Sequence, residues 1–364
     1  MRNPVRRASV VGAGSFGTAV AVLLERAGVR TALVCRTEEQ ARQIEQEREN
    51  RRYLPGVQLP GGLRLRWMDD PHLARSDVVF VAVPSRGFAD AVQQLIRNGL
   101  SRSMPIVSCA KGLVAPDGVA PTVFLGDLLG ADRVACLGGP AHAREMVDAG
   151  AGLVCAAHTE PLAHRVAEAL QSAGTVCEVS NDPVGVELAG SAKNAAALAA
   201  GATIAQGYNA AGMAAGDVFA EVLALAEVQG ARPETFVGRA GIGDLMATAL
   251  SPSSRNRAAG ELLAEGIPPA EIPQRLGQVS EALETVSLLA RACERAGVQA
   301  PVISALARLI AGTLPLDDWI ALVRTKQPEP ARFDGGVWHR FLAWFRRVRA
   351  RRRARRPQLS SNVR

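Results

Sequence analysis

Two polar clusters set among small residues carry the clearest chemistry in this chain. One is Glu187-(x5)-Lys193-Asn194; the other is Gly241-Ile242-Gly243-Asp244 followed by Thr248 and Ser254-Arg255-Asn256. A lysine in an Ala/Gly-rich segment loses hydration once its helix packs, so its ammonium needs a partner or a lowered pKa. Acid/base catalysis asks the same of a lysine. Taken alone, a Lys-Asn pair on a helix reads first as a solvated face, and the elements around it must decide.

The chain begins with such an element. Val10-Val11-Gly12-Ala13-Gly14-Ser15-Phe16-Gly17-Thr18-Ala19, then Val20, Leu23, Leu24 and Gly28, reads as a short strand, a tight turn and a helix. Gly12 serves the turn, Gly14 leaves room for a pyrophosphate near the backbone, and Gly17 lets helix and strand pack closely. The helix start offers free N–H groups to phosphates, so a dinucleotide is expected here. Arg2, Arg6 and Arg7 mimic the basic start of a signal peptide, but glycines interrupt the apolar run and no cleavage site follows. A cytoplasmic protein is therefore expected.

The cysteines, at 35, 109, 136, 155, 177 and 293, are widely spaced without a C-x-x-C pair and read as reduced core residues. The histidines, at 72, 142, 158, 164 and 339, show no ligand spacing, and no metal is expected. The 364 residues suffice for two domains, and 48% hydrophobic content excludes general disorder. No run of about eighteen apolar residues suggests a membrane span.

The net charge of +7 resembles a nucleic-acid signature until it is located. Residues 331–364 hold eleven arginines against Asp334, a net of +10, which leaves −3 for residues 1–330. Within this tail Trp338, Phe341, Leu342, Phe345 and Val348 share a helical face beside Arg346, Arg347, Arg349 and the Arg351–Arg356 run. Such a face suits an anionic membrane surface, with residues 337–356 as the contact. A terminal helix docked on the body suits it as well, and phosphate contact with nucleic acid ranks third.

Seven β-like runs alternate with helical ones: Ala8–Val11, Thr31–Cys35, Asp77–Val83, Pro105–Ser108, Arg133–Gly138, Gly152–Ala156 and Val176–Val179. This predicts an α/β fold, a doubly wound and mostly parallel sheet over residues 1–183. From Val184 the pattern turns to long Ala/Leu-rich helices, broken at 230–233, 241–243, 266–269 and Pro301. An all-helical domain over 184–328 and a basic tail over 329–364 are expected. At the end of the second strand Cys35-Arg36-Thr37 lacks the acid that would hold a ribose 2′-hydroxyl and offers a guanidinium to a 2′-phosphate instead. NADP, or tolerance of NADP and NAD, follows. Val79–Ser85 ends a strand at the sheet's carboxyl edge, and the Asn50–Gly56 loop, with Tyr53, approaches the same crevice.

Together these elements resemble the bacterial-type NAD(P)-dependent glycerol-3-phosphate dehydrogenases, from about residue 8 to about residue 324. The carrying motifs are Gly12–Ala19, Tyr53-Leu-Pro-Gly56, Ala110-Lys111-Gly112, Gly139-Pro140, Glu187-(x5)-Lys193-Asn194, Gly241-Ile-Gly-Asp244-Leu245, Ser254-Arg255-Asn256 and Val279-Ser-Glu281. The resemblance implies a Rossmann-type domain and the interconversion of dihydroxyacetone phosphate and sn-glycerol 3-phosphate, which supplies phospholipid synthesis. It implies cofactor contacts from Gly12, Gly14, Ser15, Phe16, Gly17, Arg36, Tyr53, Lys111, Ala143, Arg255, Val279 and Glu281. Lys193 becomes the proton carrier with Asp244 beside it. Lys111, Gly139, Asn194, Thr248, Ser254, Arg255 and Asn256 join these two in holding the phosphorylated substrate. A homodimer is compatible with this picture.

The chain departs from the family pattern at three places. Ala141-His142 stands where a hydroxyl residue and phenylalanine are usual, Asp217 where an arginine is usual, and the basic tail is extra. Two other readings therefore stay open: the same architecture with a drifted substrate, and a cofactor-binding protein tethered by its tail.

Overall fold

Runs such as Val10-Val11 and Val78–Val81 are apolar on both faces, which suits strands covered from above and below. In the computed structural model, which describes residues 4–277 and 280–327, they form the centre of an eight-stranded sheet. The strands are β1 (Arg7–Val11), β2 (Arg30–Cys35), β3 (Arg64–Trp67), β4 (Val78–Val81), β5 (Ile106–Ser108), β6 (Val134–Gly138), β7 (Gly152–Ala157) and β8 (Val176–Ser180). They lie in the order β3-β2-β1-β4-β5-β6-β7-β8, and every neighbour is parallel except β6 and β7. Val10 and Phe80 face one core, Val11 and Val81 another, so both faces are buried.

The seven expected strands are present, with ends shifted by a residue or two. β3 was not foreseen, because Arg64-Leu-Arg-Trp67 forms the sheet's edge and half its residues are polar. The antiparallel β6/β7 pair follows from a short return: Gly139, at φ +93°, starts a turn containing only the helix Ala143–Ala149. β1 leads through Gly12 into helix Ser15–Arg26, whose residues Gly17–Leu24 are all buried. Gly12 has φ +109°, and a Cβ there would strike the carbonyl of Ala82 just beyond β4. Gly28, at φ +81°, turns the chain back into β2.

The helical part begins at Asp182, whose Oδ1 accepts from Gly185 N at 2.9 Å and so caps helix Pro183–Thr203. Its Oδ2 accepts from Arg232 N (2.9 Å) and Thr235 Oγ1 (2.6 Å), tying the next segment to the same point. Nearly every residue of this helix is buried. Its alanines and glycines admit close neighbours: a Cβ on Gly201 would clash with the carbonyl of Arg257, and one on Gly260 with that of Leu198. Helices 183–203 and 255–264 therefore cross backbone to backbone. Glu221, in helix Tyr208–Val228, caps helix Pro301–Ile310 by accepting from Val302 N (3.0 Å) and Ile303 N (2.9 Å).

One expected break is not a break. At 241–243 the chain continues as a π-turn over Arg239–Gly243, closed by Gly243 N donating to Gly238 O, and runs into helix Asp244–Leu250. Gly241 permits it, since a Cβ would collide with the carbonyl of Phe236. The six cysteines are free and buried. Among the described residues no cluster could hold a metal ion, and no helix is long and apolar enough to cross a membrane. Val279 and the tail contact expected at 337–356 lie outside the described residues.

Candidate functional site

The carboxyl ends of parallel strands are where an α/β sheet leaves a crevice. Gly12 follows β1, Ser85 lies beyond β4, Lys111 follows β5 and Gly139 follows β6, so these positions rim one edge. A Cβ on Gly14 would meet nothing within 4 Å, whereas one on Gly17 would clash with Gly12 O. The first glycine thus keeps space open, and the last lets helix and turn touch. Ser15 Oγ donates to Tyr53 O at 2.6 Å; Asn50 Nδ2 donates to Ala13 O (3.0 Å) and Thr18 Oγ1 (2.8 Å). The Asn50–Gly56 loop is therefore fastened to the glycine turn, as its aromatic residue suggested. Phe16 and Ala143 are half-buried against the same core, and Arg36 is exposed at the end of β2. The open space at Gly14, the helix N-terminus behind it and Arg36 fit a dinucleotide.

The chemistry gathers around one carboxylate. The π-turn sets Asp244 at the start of its helix with no exposed surface. Its Oδ2 accepts from Lys111 Nζ at 2.7 Å, and its Oδ1, which makes no hydrogen bond, has Lys193 Nζ 3.5 Å away. Lys193 Nζ donates to Thr248 Oγ1 at 3.0 Å, one turn along the same helix. Lys111 Nζ also donates to Gly139 O at 2.9 Å. Two lysines from distant parts of the sequence thus share one aspartate.

Burial opposes ionisation of Asp244, but the ammonium groups of Lys111 and Lys193 outweigh it and hold the carboxyl below its usual range. Burial is also the largest influence on Lys193. Asp244 raises its pKa and Lys111 lowers it, and the result is about 8, down from 10.5. The lysine is therefore buried, paired and lowered in pKa at once.

A second set of bonds fixes the surrounding amides. Asn194 Nδ2 donates to Lys111 O (2.7 Å), Asn256 Nδ2 donates to Asn194 Oδ1 (2.8 Å), and Ser280 Oγ donates to Asn256 Oδ1 (3.1 Å). Ser254 caps helix Arg255–Ala264 by accepting from Arg257 N at 3.4 Å, and the exposed Arg255 opens that helix. Glu281 is half-buried at the start of helix Glu281–Ala296. Burial lifts its carboxyl above the usual value against the pull of Lys193, Arg255 and Lys111, which places it within electrostatic reach of the cluster.

Sequence reasoning missed two partners. Glu187 Oε2 accepts from Thr122 N (2.9 Å) and Thr122 Oγ1 (2.6 Å); burial pushes this carboxyl to about 7 against those bonds, and its Oε1 has no hydrogen-bond partner. The signal for Thr122 was the helix start Ala120-Pro121-Thr122; for Ser280 it was a hydroxyl beside Glu281. Of the departures, Ala141 is buried, His142 sits just before helix Ala143–Ala149 with Nδ1 3.6 Å from Glu145 Oε1, and Asp217 is half-buried in helix Tyr208–Val228.

Comparison with known proteins gives a consistent result. The N-terminal profile of NAD-dependent glycerol-3-phosphate dehydrogenase matches residues 7–163 and its C-terminal profile matches residues 182–321. A Deinococcus radiodurans protein named glycerol-3-phosphate dehydrogenase (NAD(P)+) is 41% identical over 309 residues, covering 83% of this chain and 90% of its own. One of the same name from Ectopseudomonas mendocina is 36% identical over 88% of this chain and 95% of its own. The crystal structure of glycerol-3-phosphate dehydrogenase from Coxiella burnetii superposes with a TM-score of 0.82 at 26% identity, covering 88% of this chain and 99% of that one.

Proposed function

Because the chain belongs to the NAD-dependent glycerol-3-phosphate dehydrogenase family, we propose that it interconverts dihydroxyacetone phosphate and sn-glycerol 3-phosphate at the Lys193 cluster. The supporting observation is the cluster of buried Lys193 and Asp244 with half-buried Lys111. Residues 1–183 serve as the cofactor half and 184–328 as the substrate half. Gly12, Gly14, Ser15, Phe16 and Gly17 would hold the pyrophosphate side of the dinucleotide, Arg36 its ribose end, and Tyr53, Lys111, Ala143, Arg255, Val279 and Glu281 would approach its remainder. When bound, the nicotinamide supplies or accepts the hydride.

The chain's own part is to move a proton and hold charge. As the carbonyl carbon becomes tetrahedral, its π electrons collect on oxygen, and the Lys193 ammonium stabilises and protonates that oxygen. Thr248 takes one N–H of Lys193 and Asp244 attracts the group, which leaves the ammonium donor capacity for the substrate. With Lys111 and Lys193 positive and Asp244 negative, the cluster carries +1 before transfer and zero after it. The charge that leaves is the proton delivered. In the reverse direction neutral Lys193 accepts the hydroxyl proton, and a pKa of about 8 suits both. Arg255, Asn256 and the start of their helix, capped by Ser254, are the phosphate donors, with Gly139 and Asn194 closing the site.

A cytoplasmic setting is proposed from the six cysteines, which are free and buried. The arginine-rich aromatic sequence at 337–356 supports contact with an anionic membrane surface, and a homodimer completes the proposal. The test is NADPH oxidation by the full-length protein with dihydroxyacetone phosphate, with NADH and Lys193→Ala in parallel. Lysine-dependent turnover is expected. Cofactor binding without turnover would redirect attention to Ala141, His142 and Asp217 and a different phosphorylated substrate.

A further inference from the structure

Serine is among the favoured residues for starting a helix, because its hydroxyl oxygen accepts from a free backbone N–H of the first turn. Thr37 and Ser254 do this for their helices. Ser280 occupies the corresponding position before helix Glu281–Ala296, in extended conformation, yet makes no capping bond. Its hydroxyl instead donates to Asn256 Oδ1 at 3.1 Å, and the residue is only 4% exposed. A buried hydroxyl diverted from its local use toward the proposed phosphate-binding helix calls for a reason.

The direction of the hydrogen bonds supplies one. Ser280 donates to the carbonyl of Asn256, Asn256 donates to the carbonyl of Asn194, and Asn194 donates to the main-chain carbonyl of Lys111. Each amide accepts on its oxygen and spends one N–H, which leaves its second N–H for another acceptor. A side-chain amide can turn over and exchange oxygen for nitrogen at little cost unless both ends are fixed. Turned over, Asn256 would present a carbonyl oxygen to an anion and repel it. The lysine carbonyl at one end accepts only, so the polarity is set there and passed through Asn194 to Asn256; the Ser280 hydroxyl, able to donate or accept, gives its O–H to the Asn256 carbonyl and holds the amide that this polarity selects.

The geometry points to Ser280 as a positioning residue that holds the Asn256 amide with its N–H toward the substrate phosphate. It acts through Asn256. This rests on the reading proposed above, in which Asn256 and Arg255 bind that phosphate. Ser280 also precedes Glu281 directly, so ordering of the cofactor-side segment and orientation of the substrate-side amide are joined in two adjacent residues.

The test compares Ser280→Ala and Ser280→Thr with the parent, reading KM for dihydroxyacetone phosphate, kcat, the NADPH dissociation constant and the melting temperature. The loss of one oriented hydrogen bond predicts a KM about fivefold to tenfold higher in Ser280→Ala, a rise larger than any fall in kcat. Melting temperature should fall by no more than a few degrees, since one part-buried hydrogen bond but no cap is lost, and NADPH affinity should stay within about twofold. Ser280→Thr keeps the hydroxyl and should restore KM to within about twofold of the parent. An unchanged KM in Ser280→Ala, or equal impairment in both variants, overturns the inference. So does a fall in melting temperature accompanied by equal weakening of substrate and cofactor.

Calorimetric titration with inorganic phosphate separates this from the functional reading. A parent without turnover that still binds phosphate more tightly than Ser280→Ala sinks the reaction and keeps the role of Ser280. A parent that neither turns over nor binds phosphate sinks both.

Discussion

Replacing Asp244 by asparagine keeps the shape of the side chain and removes the one negative charge between two ammonium groups. At 3.5 Å and an effective dielectric of about 20, its attraction for the Lys193 ammonium is ~4.7 kcal/mol, or about 3.5 pKa units. Lys111, 2.7 Å from the other oxygen, already draws on the same carboxylate, so the net effect on Lys193 should be smaller, roughly one to two units. The sign is downward, because the carboxylate favours the charged lysine. From about 8 in the parent, Lys193 should fall toward ~6.5. Reduction needs the protonated form, so kcat/KM at pH 8 should drop about fifteenfold from protonation alone, and the gap should narrow to less than about 1.5-fold at pH 6. Taking the carboxylate away from the buried Lys193 and the half-buried Lys111 should also destabilise the fold, by up to about 3 kcal/mol because both ammonium groups keep a neutral acceptor, less whatever Lys193 recovers by losing its proton. The assay is the pH dependence of dihydroxyacetone phosphate reduction between pH 5.5 and 9.5, alongside urea unfolding. A uniform loss of activity with the limb still near pH 8 would refute the electrostatic role of Asp244.

Other residues allow sharper contrasts. Gly14→Ala should leave the melting temperature unchanged, because φ is −81° and a Cβ meets nothing, yet raise KM for NADPH at least tenfold. Gly12→Ala should cost about 2 kcal/mol or more of stability through its positive φ and the Ala82 carbonyl; equal behaviour of the two variants by calorimetry and kinetics would contradict the assignment. Glu187 keeps its proton to about pH 7 when folded but only to 4.5 when unfolded, so its contribution to stability is present at low pH and lost as pH rises between those values. Glu187→Gln should remove that slope, up to about 3 kcal/mol, and unfolding at pH 5 and pH 8 with the same difference as the parent would count against it. Arg36→Ala should raise KM for NADPH about fivefold to tenfold while changing that for NADH less than twofold, and parallel changes would show that Arg36 ignores the 2′-phosphate.

The sheet was legible because apolar runs bounded by glycine and proline leave strands few alternatives. Its edge was not: β3 has arginines at alternate positions and no second face to bury, so nothing in Arg64–Trp67 distinguished it from a loop. The Ala/Gly stretch around Lys193 announced that a lysine would be buried, and the predicted need for a partner was met by Asp244 and Thr248. The direct bond of Lys111 to Asp244 spans 133 positions, and only folding brings such groups together. The π-turn escaped notice because glycines at 241 and 243 signal a break as strongly as they permit a tight continuation. Asn194 and Asn256 were read as substrate ligands, but their mutual bond, and the hydroxyl of Ser280 behind it, depend on three helices meeting.

The crossing at Gly201 and Gly260 has a consequence for how this molecule tolerates change. Side chains are the adjustable part of a core; a shift in their volume usually moves the elements they separate. Where two helices rest on each other's main chain, no such adjustable layer lies between them. The helix bearing Lys193 is therefore referenced to the helix bearing Arg255 and Asn256 by covalent backbone dimensions alone. Redesign of the apolar residues elsewhere can alter stability while the spacing between proton carrier and phosphate donors holds. Even one methyl at either glycine would wedge that spacing apart.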